Sequence, residues 1–127
     1  MTDEIDWDPI RALARRVLQE DEPLSLTAEV RDILKRTARE VGISDSDAER
    51  ALTTEAEALE LLRESARRIR EGSSRLVNAL HRVYKHKEAG DFDSARQDMR
   101  DVLAVEVVPL YRETAQGQLD DLDDEAG

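Results

Sequence analysis

Residues 55–89 read EAEALELLRESARRIREGSSRLVNALHRVYKHKEA, and their spacing decides the fold. Leu59, Leu62, Ala66, Ile69, Ser73, Leu76, Leu80 and Val83 recur at alternating intervals of three and four residues, the heptad seam of an amphipathic helix. One long helix from about Glu55 to Ala89 is predicted. Beside the seam lie Ser65, Gly72 and Ala79, seven residues apart, a strip of little side-chain bulk where another backbone can approach closely. Glycine costs about 1 kcal/mol relative to alanine in a helix interior, so at Gly72 either close packing offsets that cost or the helix bends. Close packing is the preferred reading. Seam and strip can be covered by the last helix of the same chain or by a second copy. Intramolecular cover is expected, with a homodimer as the alternative.

Working outward, shorter helices precede the long one. Asp8-Pro9 offers an N-cap and a proline at the first helical position, and Ile10, Leu13, Ala14, Val17 and Leu18 follow at helical spacing up to about Glu20. Asp21-Glu22-Pro23 ends that helix. Thr27 caps a second, with Val30, Ile33, Leu34, Thr37, Ala38 and Val41 on one face and Gly42 as its stop. Ser44-Asp45-Ser46-Asp47 resembles a capping box and opens a short helix through Ala48 and Leu52, punctuated by Thr53-Thr54.

Beyond the long helix, Gly90 breaks the pattern and Asp91-Phe92-Asp93-Ser94-Ala95 leads into a last helix carrying Met99, Val102, Leu103, Leu110 and Tyr111. Pro109 lacks an amide proton, so a kink or restart is expected near Val107. Residues 119–127 are acidic and show no further stripe, which predicts a frayed tail after a single domain over residues 1–118. The expected fold is an all-α bundle of about five helices, with a long central helix and an antiparallel C-terminal helical hairpin.

Charge is segregated along the chain: residues 1–60 carry a net −8, residues 61–90 a net +5 and residues 91–127 a net −8, for −11 in all. The basic segment therefore has its first electrostatic partners within its own chain. Arg68, Arg75 and Arg82 stand seven residues apart on the flank of the long helix away from its seam, with Arg67 and Lys85 nearby. These five are the candidate partner-binding residues, for an acidic protein or, less favourably, for phosphate; pairing with the chain's own acids is the bland alternative and carries more weight.

Other chemistry is scarce. The chain has no cysteine, which removes disulfides, thiolate metal sites and cysteine nucleophiles. His81 and His86 are five apart and on different faces, and no Glu-x-x-His or His-x-x-x-His spacing exists for a metal. Ser74 and His81 lie on one face, yet about 10.5 Å apart along the axis, too far for a nucleophile and its base. No catalytic, cofactor or metal residue is assigned, and a non-enzyme is expected. The N-terminus has no apolar leader and no run approaches the ~20 apolar residues of a membrane span, so a cytoplasmic protein is expected.

Two motifs resemble known turns. Ala38 to Ser44 resembles the turn of a DNA-binding helix-turn-helix, but the helix that follows presents Asp45, Asp47 and Glu49 against Arg50 alone. DNA, with a negative charge about every 1.7 Å, would be repelled. Gly90 to Ala95 resembles the inter-helix turn of a tetratricopeptide repeat, without a second copy 34 residues away, and an ordinary antiparallel hairpin is the better reading.

Three stretches taken together resemble a known family: Asp6-Trp-Asp-Pro-Ile-Arg-Ala-Leu-Ala-Arg-Arg-Val-Leu18, Ala89-Gly-Asp-Phe-Asp-Ser-Ala95 and Val102-Leu-Ala-Val-Glu-Val-Val-Pro-Leu-Tyr-Arg112. They resemble the DUSAM domain family, small paralogous bacterial proteins of unknown function. That resemblance transfers no active site. It implies many related copies in one genome, which suits partner-specific binding better than a shared metabolic step. A noncatalytic protein-binding module, acting as adaptor, oligomeriser or immunity-type inhibitor of a partner the sequence does not identify, is therefore the expected function. A nucleic-acid-associated regulator using the arginine stripe is the alternative.

Overall fold

The computed structural model describes residues 5–125, and the secondary structure among them is all α. Helix α1 spans Asp8–Ala14 and runs into a π-helical turn, Arg15–Gln19; α2 spans Ala28–Glu40, α3 Asp45–Ala51, α4 Glu55–Glu88, α5 Phe92–Val105 and α6 Pro109–Glu125. No helix among the described residues is long and apolar enough to cross a membrane.

Local chemistry sets most of the boundaries. The Thr27 hydroxyl accepts from the Val30 amide at 3.2 Å, the Ser44 hydroxyl from Asp47 at 3.2 Å, the Thr54 hydroxyl from Glu57 at 3.1 Å and the Asp91 carboxylate from Ser94 at 3.1 Å, so the starts of α2, α3, α4 and α5 are each capped by a side chain. Gly42 and Gly90 take φ angles of +84° and +75°, left-handed stops that suit glycine. Asp21, at φ +57°, turns the chain after the π-helical segment. The first cap differs from expectation: α1 is counted from Asp8, and the Asp6 carboxylate accepts from the Asp8 amide at 3.0 Å. The N-cap position is thus Trp7, one residue earlier than the Asp8-Pro9 pair suggests, and the Asp6 carboxylate closes a turn over Asp6-Trp7-Asp8 just ahead of the helix.

The chain groups into two compact units, Met1–Ile69 and Arg70–Gly127, divided within α4. In the first unit α1 and α3 both pack on α2, and the core holds Ile10, Leu13, Leu34, Ala38, Val41, Ala48 and Leu62. In the second unit α5 returns antiparallel to α4, joining His86 to Asp98 near one end and Arg75 to Glu106 near the other. Helix α6 turns back again: Tyr111 lies against Gly72 and Glu125 pairs with Lys87. Of the kink or restart expected near Val107, the structure has the restart, which gives two helices. The break falls at residues 106–108, where the Arg112 guanidinium donates to the Leu103 and Glu106 carbonyls at 2.6 and 2.9 Å and satisfies the end of α5.

Two expectations need correction. Helix α6 reaches Glu125 with Leu119 and Leu122 buried, so the helix and its packed face continue past residue 118; residues 126–127 lie outside those described. The line Tyr111, Ala115, Leu119, Leu122 is a helical stripe that the surrounding aspartates obscure. Along α4, the buried positions in the first unit are Ala58, Leu61, Leu62, Ser65 and Ile69, and in the second Gly72, Leu76, Ala79 and Val83. Leu59, Ala66, Ser73 and Leu80, assigned to the seam by their spacing, are only half-buried. The small-residue strip is the centre of the packed face rather than its margin.

The reason is close approach. A Cβ placed on Gly72 would meet Tyr111 Cδ2 at 2.5 Å and Glu106 Oε1 at 2.8 Å, so the tyrosine ring occupies the space that a side chain would need. At Ser65 the same preference for small residues leaves a buried hydroxyl with no hydrogen-bond partner among the described residues. Replacing Ser65 by alanine removes that unsatisfied group at nearly constant volume and should raise stability by about 1 kcal/mol. Chemical unfolding read against the parent checks this, and a loss of stability would mean that the hydroxyl has a partner.

Candidate functional site

The arginine stripe is held on α4, whose long uninterrupted helix sets its seven-residue spacing. In the first unit the Arg68 Nε lies 2.7 Å from Glu64 Oε2, and its Nη1 donates to the Val41 carbonyl at 3.0 Å, tying α4 to the end of α2. Arg67 Nη2 reaches the same Glu64 oxygen at 2.6 Å. Partial burial alone would raise the Glu64 carboxyl, but hydrogen bonds from Arg67 and Arg68 and their positive charge outweigh it and hold the group below the usual glutamate range.

In the second unit Arg75 Nη1 pairs with Glu106 Oε1 at 2.8 Å, and that glutamate side chain is only 1% exposed. Its other oxygen, Oε2, accepts from the Val107 and Val108 amides, both at 3.0 Å, so Glu106 also satisfies the chain entering α6. Arg82 Nε lies 3.5 Å from Asp98 Oδ1, and His86 Nδ1 lies 2.7 Å from Asp98 Oδ2. Nearby, the Ser94 hydroxyl and amide donate to Asp91, with His86 adding a weaker attraction, and together they lower the Asp91 carboxyl. Lys85 is exposed and has no ion pair among the described residues.

The five candidate residues therefore do not converge on one open site. Arg67 and Arg68 converge on Glu64, Arg75 is committed to a buried acid, Arg82 is shared with Asp98, and Lys85 alone faces solvent without a partner among the described residues. Ser74 and His81 are exposed, and no cluster of three His, Asp or Glu residues among those described is placed to hold a metal ion. The short helix α3 keeps its acidic face, with Asp45 held by two hydrogen bonds of 3.2 Å from Arg39.

Sequence reasoning passed over the two acids that organise this surface. Glu106 is the one charge within Val102-Leu-Ala-Val-Glu-Val-Val108, and an isolated carboxylate in an apolar run signals a buried ion pair. Asp98 stands between Ala95 and Val102 at helical spacing, hence on the buried face of α5. Also passed over were Val77 and Tyr84, large side chains left 50% and 66% exposed on α4.

Six α-helices among the described residues and a basic stripe neutralised largely from within define an all-α helical protein whose exposed features are acidic charge and a few apolar side chains. The chain belongs to the family described as a protein of unknown function (DUF2379), whose model matches residues 5–122. No curated protein and no solved structure matches the chain.

Proposed function

We propose that the protein is a noncatalytic protein–protein interaction module, acting as an adaptor, an oligomeriser or an immunity-type inhibitor. One observation carries this reading: the arginines of the stripe are engaged by Glu64, Glu106 and Asp98, while Val77 and Tyr84 remain exposed on the same helix. A surface whose charge is already satisfied and whose large apolar groups are not is suited to a protein partner. The resemblance to DUSAM domains supports the same reading, because a set of related copies suits selective partners.

The rival reading, nucleic-acid binding through the stripe, makes a different demand. Free arginines contacting three to five phosphates would give an affinity that falls steeply with salt. With those arginines paired and the whole chain at −11, no retardation of duplex DNA, single-stranded DNA or RNA is expected at micromolar protein in about 100 mM salt. The control is Arg82→Gln with Lys85→Gln, which leaves the buried Arg75–Glu106 pair intact. A shift that disappears in this variant, at an unchanged melting temperature, would replace the protein-binding reading by its rival.

A further inference from the structure

Helix α4 carries two apolar lines in the second unit. Gly72, Leu76, Ala79 and Val83 are buried within the chain. Ser73, Val77, Leu80 and Tyr84, each beside the first line, repeat the same intervals of four, three and four, and they are half-buried or exposed. A helix face with seam spacing that the chain covers only in part, leaving Val77 and Tyr84 exposed, is a surface for another helix.

The flank of this second line indicates which helix. Arg70 and Glu88 are eighteen residues apart, five full turns of α-helix, so they lie on one side of the line at its two ends. Both are exposed, and neither has an ion pair among the described residues, unlike most of the charges around them. In an antiparallel pair of identical helices, residues on the same flank face each other across the two-fold axis. Setting Val77 opposite the second copy's Leu80 then brings Ser73 opposite Tyr84 and places Arg70 on the same flank as Glu88, one residue or about 1.5 Å from exact register, each twice. The large ring meets a small residue, as Tyr111 meets Gly72 within the chain. The two unpaired charges neutralise each other in the same register.

We infer that the Ser73–Val77–Leu80–Tyr84 face of α4 binds a second copy of this chain in antiparallel register, closed at both ends by Arg70–Glu88 pairs. The inference rests on the interaction-module reading and specifies its partner. The line covers twelve residues, about 16 Å of helix, less than a standard interface of about 800 Å² per partner requires, so the dimer is weak and reversible.

Sedimentation equilibrium of the full chain across about 5–500 μM in 150 mM salt tests it, that salt being enough to screen repulsion between the two acidic copies. A monomer of 14.4 kDa in equilibrium with a dimer of twice that mass is expected. Tyr84→Asp should leave the melting temperature unchanged and give monomer throughout. Arg70→Glu and Glu88→Arg should each weaken association about tenfold, through facing like charges, and the double reversal Arg70→Glu/Glu88→Arg should restore it. A monomeric parent at every concentration overturns the inference, as does a dimer that survives Tyr84→Asp or a double reversal that fails to recover. A monomeric parent that also leaves nucleic acid unshifted removes only the self-association, whereas one that retards nucleic acid through Arg82 and Lys85 removes the interaction reading as well.

Discussion

Arg75→Gln is expected to destabilise the protein by about 3 kcal/mol, because it removes the only cationic partner, among the described residues, of a carboxylate that is 1% exposed. An uncompensated buried charge costs about 3–5 kcal/mol, and the lower end applies because Arg75 is itself about one-third exposed. For a chain of 127 residues that corresponds to a melting temperature lower by roughly 10 °C. Glu106 would keep its two bonds from the Val107 and Val108 amides, which a neutral amide oxygen can also accept. The double variant Arg75→Gln/Glu106→Gln should therefore be more stable than Arg75→Gln alone, recovering part of the loss with no cation restored. Thermal unfolding of the two variants and the parent provides the comparison. A single variant that melts with the parent would show that Glu106 draws its stability from the backbone amides and owes little to α4.

The same pair explains what the sequence conveys and what it withholds. The starts of α2, α3, α4 and α5 and the turns at Gly42 and Gly90 are legible because each depends on one or two adjacent residues whose chemistry acts locally. Pro109 likewise announces a break, since the missing amide proton is a property of that residue alone. The inward line of α4 is not legible in this way. Leu62, Ile69, Leu76 and Val83 belong to two overlapping seven-residue repeats, one completed by Leu59, Ala66, Ser73 and Leu80 and the other by Ala58, Ser65, Gly72 and Ala79. Hydrophobicity favours the first; the geometry of approach selects the second, because Tyr111 needs the space at Gly72. Which repeat turns inward depends on a residue about forty positions away. The arginines show the converse. Charge segregation correctly indicates that the stripe finds partners within the chain, yet the identity of those acids depends on how α5 and α6 fold back.

Leu122→Ala should cost about 2–5 kcal/mol, the range for a leucine truncated inside a packed core, because Leu122 is 1% exposed although it is surrounded in sequence by Asp120, Asp121, Asp123 and Asp124. A frayed acidic tail predicts almost no change, so this substitution separates the two descriptions of residues 119–125 more sharply than any other. Charge cannot account for the helix there: four aspartates in the last turns oppose the helix dipole, which favours cations at that end. Burial of Leu119 and Leu122 must outweigh that cost, helped by Lys87 on Glu125 at 2.8 Å and Arg96 near Asp123 at 3.8 Å. Each ion pair has its carboxylate half exposed and contributes at most about 1 kcal/mol, so the leucines decide the outcome. Asp121→Ala, at an exposed position one residue away, is the matched control and should leave the midpoint of urea unfolding within about 0.5 kcal/mol of the parent. Equal midpoints for Leu122→Ala, Asp121→Ala and the parent would return the tail to solvent and shorten α6 to its first three turns. A selective loss in Leu122→Ala would instead make the acidic end of the chain part of the three-helix unit that holds α4.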